Sequence, residues 1–106
     1  MVNREILLAL WKIHILHHAD EGEVFGQWML EELRHHGYDV SPGTLYPLLR
    51  RMEKFGWLRS KQDPKAGVRS RRSYRLTPAG REVLAVVMRQ VRELREEAPE
   101  ARRKKK

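Results

Sequence analysis

The spacing of apolar residues changes period twice along this chain, and the order of those changes restricts what it can fold into. The period is helical up to residue 55, alternating over residues 57–76, and helical again to residue 98. Apolar side chains recurring every three to four residues line one face of a helix, whereas strict alternation lines one face of a strand. A chain ordered helix, helix, helix, two strands, helix has few ways to enclose one core.

Residues 4–18 form the first helical segment, with Ile6, Leu7, Leu10, Ile13 (or His14) and Leu16 on one stripe. Leu8, Trp11 and Ile15 fall outside it, so this helix is apolar over more than one face and has more surface to bury than one small core accepts. Asp20, Glu21, Gly22 and Glu23 read as a turn. A second helix over residues 24–36 points Phe25, Trp28, Met29 and Leu33 inward, and Gly37 is placed to end it. The third, residues 42–55, buries Leu45, Leu48, Leu49, Met52 and Phe55, with Gly56 just past its end.

The start of that third helix has two solutions. With Ser41 as N-cap and Pro42 as the first helical residue, Pro47 lies past the first turn and removes a hydrogen bond. With Thr44 as N-cap, Pro47 falls within the first turn without that loss. Residues 57–61 and 70–76 alternate as strands, and Asp63-Pro64-Lys65-Ala66-Gly67 between them has turn chemistry, which makes a hairpin. Thr77-Pro78 pairs an N-cap with a first-position proline and opens the last helix. Its Leu84, Val87, Val91 and Leu94 form a short heptad seam.

The expected fold is therefore mainly α with a small β-hairpin: a winged helix-turn-helix with a C-terminal dimerisation helix. Residues 1–77 form the winged unit, 78–98 the dimerisation helix and 99–106 a charged tail. With no cysteine, disulfides, thiolate chemistry and cysteine-ligated zinc fingers are excluded. The longest apolar run, residues 6–11, is far short of a bilayer span, and no secretory leader pattern opens the chain. No membrane association is expected, and the chain reads as cytoplasmic.

Charge locates the working surface. Residues 42–77 hold ten basic side chains against only Glu53 and Asp63, so this third of the chain carries the entire formal charge of +8. Solubility does not require such segregation; a polyanion-binding face does. On the third helix, Gly43, Pro47, Arg50 and Lys54 fall opposite the apolar stripe, flanked by Thr44, Tyr46 and Arg51. Gly43 and Pro47 leave no long side chain to hold the helix off a groove, and Ser41 and Pro42 at its start are counted with the same DNA-binding candidates. Thr44 and Tyr46 can donate to phosphate, and Arg50, Arg51 and Lys54 supply charge. The hairpin adds Lys61, Lys65, Arg69, Arg71 and Arg72 around its tip. In helix-turn-helix proteins the start of such a helix reads bases in the major groove.

The run from Ser41 to Gly56, with Gly43-Thr44-Leu45-Tyr46-Pro47 at its centre, resembles the recognition-helix signature of PadR-family transcriptional regulators. Arg72-Ser73-Tyr74-Arg75-Leu76-Thr77-Pro78-Ala79-Gly80-Arg81 resembles that family's second wing strand and the start of its C-terminal helix. Phe25-Gly26-Gln27-Trp28 stands where the family has an aromatic-glycine-aromatic step. The resemblance covers residues 4–94 and implies a homodimeric regulator, commonly a repressor, on a near-palindromic duplex operator. It also implies a flat aromatic effector at the dimer interface, for which Trp11, His14, Trp28 and Met88 are the candidates, although core packing is the more ordinary role for both tryptophans.

Dimerisation follows from the residues as well. The over-apolar first helix (Leu7, Leu10, Trp11) and the seam of the last (Leu84, Val87, Met88, Val91, Leu94) each need a partner surface. The five histidines include His14 and His18 one turn apart and the pairs His17-His18 and His35-His36. No acidic-histidine set with metal-ligand spacing accompanies them, so they read as solvated or interfacial and no metal is expected. Neither a nucleophile-base-orienter set nor a phosphate-cradling loop is present, so no enzyme activity and no cofactor are expected. The alternative to a DNA-reading regulator is a winged-helix module for protein interaction or DNA architecture, without operator specificity.

Overall fold

The computed structural model describes residues 4–62 and 72–97. They form α1 (Arg4–Glu21), β1 (Val24–Phe25), α2 (Gly26–His35), α3 (Pro42–Lys54), β2 (Leu58–Gln62), β3 (Arg72–Leu76) and α4 (Pro78–Glu97). The sheet is antiparallel in the order β1-β3-β2. Leu58 pairs with Leu76 and Gln62 with Arg72, while Val24 and Phe25 pair with Tyr74 and Ser73 on the other edge of β3. The turn expected at residues 63–67, and Lys65, Arg69 and Arg71, lie outside the described residues.

One core joins every layer. Trp11, Ile15 and Leu16 of α1 meet Met29, Leu30 and Leu33 of α2 and Leu45, Leu48, Leu49 and Met52 of α3. Leu58, Tyr74 and Leu76 close it from the sheet and Leu84 from α4. At about 25 cal/mol per Å² of apolar surface removed from water, this burial is the main favourable contribution to folding.

Two glycines end helices by the same device. Gly37 (φ 95°) and Gly56 (φ 85°) take left-handed conformations that cost a side-chain-bearing residue dearly. Gly37 N donates to Arg34 O at 2.9 Å and Tyr38 N to Leu33 O at 3.1 Å. Gly56 N donates to Glu53 O at 2.9 Å and Trp57 N to Met52 O at 3.0 Å, so each helix end satisfies carbonyls it would otherwise leave bare. Tyr38 and Trp57 then fold back onto the core. At the start of α4, Thr77 Oγ1 accepts from Gly80 N at 3.0 Å, and Thr77 N donates to Trp57 O at 3.0 Å, which locks α4 to the beginning of the hairpin.

Four expectations change. α1 runs to Glu21, so Asp20 and Glu21 are helical, and exposed Asp20 receives Arg81 Nε of α4 at 3.2 Å. Residues 24 and 25 form a strand on the free edge of β3 instead of opening α2: an edge offering unpaired backbone groups outweighs two more residues of helix. Phe55 is 55% exposed, because it sits at the C-cap where the chain turns at Gly56, and its ring lies on Trp57 (centroids 4.8 Å). Trp28 is 42% exposed, since Met29, Leu30 and Leu33 already fill the inward side of α2. The start of α3 resolves to Ser41 as N-cap with Pro42 at the first position, leaving Pro47 inside the helix. Pro47 cannot donate to Gly43 O, which a solvent-facing first turn tolerates.

Candidate nucleic-acid interface

α3 rests on the core through one face and turns the other outward. Leu45, Leu48, Leu49 and Met52 are fully buried, while Pro42, Gly43, Arg50, Arg51 and Lys54 are exposed. A shallow groove along this side is lined by Pro47, Arg50, Arg51, Glu53 and Lys54. Pro47 in this groove and Thr44 in the turn before it are half-buried. Ser41 Oγ donates to Thr44 Oγ1 at 3.2 Å, and Arg4 Nη2 of α1 reaches the same Thr44 oxygen at 3.0 Å. Arg4 therefore joins this surface, which no local pattern in its own helix signals.

Tyr46 differs from its neighbours. It is half-buried against the core, and a Cβ built on Gly26 would lie 2.8 Å from Tyr46 Cε1. Gly26 thus gives the ring its seat, so the aromatic-glycine step of α2 serves the packing of α3.

The sheet separates cations that the sequence groups together. Arg72 pairs with Gln62 and donates through Nη1 to Ser60 Oγ at 3.0 Å, on the side of the sheet that also carries Tyr74. Lys61 pairs with Ser73 and shares the other side with Arg59 and Arg75, because successive strand residues face opposite ways. Arg59 and Arg75 are directly opposed, an unfavourable like-charge pair unless an anion is nearby. Glu23 lies in the same groove as Arg59, Lys61 and Arg75, but its carboxylate is engaged by Ser73 Oγ at 2.5 Å. Burial raises the Tyr74 phenol above its usual pKa, so it remains a neutral side chain among these cations.

The aromatic residues divide. Trp11 is only 3% exposed and meets Tyr38 edge-on (centroids 6.2 Å), so it takes the core role and leaves little surface for a partner or an effector. Leu84 is likewise buried against its own chain and Leu7 partly so, while Val87 is half-buried. Leu10, Met88, Val91 and Leu94 are exposed, joined by Ile6 and Val86. His14 is half-buried; burial and then the neighbouring His36, His18 and His17 hold its pKa below the usual value.

Comparison with known proteins agrees with this architecture. Residues 15–86 match the Transcriptional regulator PadR-like family. The chain is 52% identical over 94 residues to Transcriptional regulator Rv3488 of Mycobacterium tuberculosis, covering 89% of this chain and 87% of that protein. Among solved structures, a PadR family transcriptional regulator from Eggerthella lenta superposes with a TM-score of 0.73 at 32% identity, over 89% of this chain and 86% of the other. Bacillus subtilis PadR in complex with operator DNA gives a TM-score of 0.67 at 18% identity, over 74% of this chain and 47% of that one, a likeness of fold. Among the described residues no helix is long and apolar enough to cross a membrane. A winged-helix architecture, a family match across the core and a half-identical relative together establish that this chain belongs to the PadR-like family of transcriptional regulators, and not to the enzymes.

Proposed function

We propose that this protein is a sequence-specific regulator that binds duplex DNA as a homodimer, laying α3 in the major groove and the β2–β3 wing along the backbone. The observation that carries the reading is the division of α3 into a fully buried apolar face and an exposed face of small residues followed by Arg50, Arg51 and Lys54. Small residues at the start allow close approach to base edges, and the cations beyond neutralise phosphates. Ser41, Pro42, Gly43, Thr44 and Pro47 form the approach surface, and Tyr46 supports it from behind. Lys61 and Arg72 reach the backbone from opposite sides of the wing, with Arg59 and Arg75 adding to the first. Lys65, Arg69 and Arg71 extend the same cationic run in sequence. That a protein of this fold, Bacillus subtilis PadR, is held in complex with operator DNA supports the arrangement.

The dimer is proposed on the exposed apolar residues Ile6 and Leu10 of α1 and Val86, Met88, Val91 and Leu94 of α4. A helix of 20 residues is about 30 Å long, enough to hold two α3 helices one turn of DNA apart. Repression relieved by a small effector completes the proposal. Selection of tight-binding duplexes from a random pool, followed by affinity at two salt concentrations, tests it. A near-palindromic motif and a salt slope of several phosphates are expected. Salt-sensitive binding with no enriched motif would replace operator recognition by an architectural or protein-interaction role.

A further inference from the structure

The histidines that look scattered in sequence converge in space. His14 and His18 stand one turn apart on α1, and His36, at the C-cap of α2, packs against both. The His36 ring lies 4.9 Å from that of His14 and 5.8 Å from that of His18. One ring nitrogen from each of the three falls within 4.8 Å of the others. Glu32, one turn before His36, brings Oε2 to 3.2 Å from His36 Nε2 and 3.8 Å from His18 Nε2.

His18 points to what the cluster is for. Its side chain is 8% exposed, and its Nε2 is buried with no hydrogen-bond partner among the described residues. Its Nδ1 lies 3.5 Å from Glu21 Oε1, a carboxylate placed to accept a hydrogen bond from an Nδ1–H. With the proton on Nδ1, the Nε2 lone pair faces Glu32 and the other imidazoles, a set of electron-pair donors that a cation between them would satisfy. A carboxylate on the outer nitrogen and a lone pair on the inner one is the arrangement that orients metal-bound histidines. Trp28 meets His18 edge-on at 5.4 Å and Tyr38 meets His14 edge-on at 5.2 Å, which holds both imidazoles in place. His36 is 39% exposed on its outer side and leaves a path of entry.

We propose that His14, His18 and His36, with Glu32 as the fourth donor, form a binding site for a divalent transition metal of the zinc class. Three imidazoles and one carboxylate match the donors and the coordination number of zinc, and imidazole also suits nickel, cobalt and copper. Ligand bonds of about 2.0–2.1 Å require the donors to draw together by roughly an ångström. Side-chain rotation of His36 and Glu32 at the surface supplies that movement. The bland reading, a histidine pair beside Glu32, leaves His18 Nε2 3.8 Å from the carboxylate, too far for a hydrogen bond; an ion would bring the two into direct ligation. The site replaces the expectation of solvated or interfacial histidines: the donors are too far apart in sequence for spacing to reveal them, and the α1–α2 packing unites them. It stands independently of DNA binding.

The test uses the full, untagged, metal-stripped chain titrated with Zn²⁺ against a chromophoric chelator, and with Co²⁺ for its visible absorption. One Zn²⁺ per chain and the intense bands of four-coordinate Co²⁺ are expected. His36→Gln and His14→Gln, each first shown to melt as the metal-free parent does, are expected to weaken Zn²⁺ binding by about tenfold or more. His35→Gln, outside the cluster, is expected to leave it unchanged. A chain that fails to compete with the chelator overturns the proposal. So does affinity that survives both His36→Gln and His14→Gln but falls with His17→Gln, because that moves the ion to His17, His18 and Glu21.

Discussion

Glu53, one residue from the end of α3, holds Ser60 of the wing through a single carboxylate oxygen: Glu53 Oε2 accepts from Ser60 Oγ at 2.7 Å and from Ser60 N at 3.2 Å. Ser60 Oγ in turn accepts from Arg72 Nη1 at 3.0 Å, so the cationic face of α3 and the arginine of β3 are set by one chain of hydrogen bonds. Glu53, the acidic residue inside a basic helix, is therefore a spacer between α3 and the wing. Glu53→Ala leaves a half-buried backbone N–H and hydroxyl without their acceptor. A loss of about 1–2 kcal/mol is expected, read as a lower urea midpoint. An unchanged midpoint would deny the hydrogen bonds a structural role.

Arg50 is exposed on the groove side of α3. Arg50→Ala is expected to weaken operator binding and to lower the salt slope by about one unit, with the melting temperature unchanged. For Tyr46 the informative change is to Phe, because the ring packs over Gly26 and Ala would disturb the fold as well as the interface.

Two glycines test how closely the layers meet. A Cβ on Gly80 would lie 2.2 Å from Trp57 O and 2.7 Å from Leu76 Cδ1, and the backbone carbonyl cannot step aside without breaking the lock at Thr77. Gly80→Ala is expected to cost about 3 kcal/mol or more in chemical denaturation. At Gly26 the clash is with the end of a side chain, Tyr46 Cε1 at 2.8 Å, which can rotate. Gly26→Ala is expected to cost only about 1 kcal/mol. Equal losses would show that Tyr46 is as firmly held as the Trp57 backbone.

Two residues of the α4 seam stand in different surroundings. Val91 is 38% exposed, and if α4 forms the proposed dimer, Val91→Asp is expected to leave a folded monomer in sedimentation equilibrium. Leu84 is 7% exposed within its own chain, so Leu84→Ala is expected to lose about 2–4 kcal/mol of stability. A Val91→Asp protein that remains dimeric would move the interface away from α4.

Local pattern carried most of the fold. The stripe from Leu45 to Met52, the glycines after α2 and α3 and the Thr77-Pro78 start are all properties of neighbours in sequence, and each appears where expected; β3 forms over Arg72–Leu76, with burial that departs from alternation at Ser73. The outward cations of α3 follow from the same stripe by subtraction. Where two elements compete for one segment, sequence is silent. Val24 and Phe25 extend a helix by period but join β3 by position, and Phe55 continues a stripe whose cover ends at Met52. Likewise, a heptad seam from Leu84 to Leu94 does not say which of its members its own α1 has already covered.

The sequence by itself determined the four helices, the two hairpin strands, their order and the face of α3 that carries charge, because helical and strand periods are written in residues a few positions apart. Tertiary structure alone decided the third strand, the seating of Tyr46 on Gly26, the opposite sides taken by Lys61 and Arg72, and the meeting of His14, His18, Glu32 and His36. Those relationships depend on how separate elements pack and in what register they pair. Close packing admits one arrangement of whole layers, and no single segment encodes it.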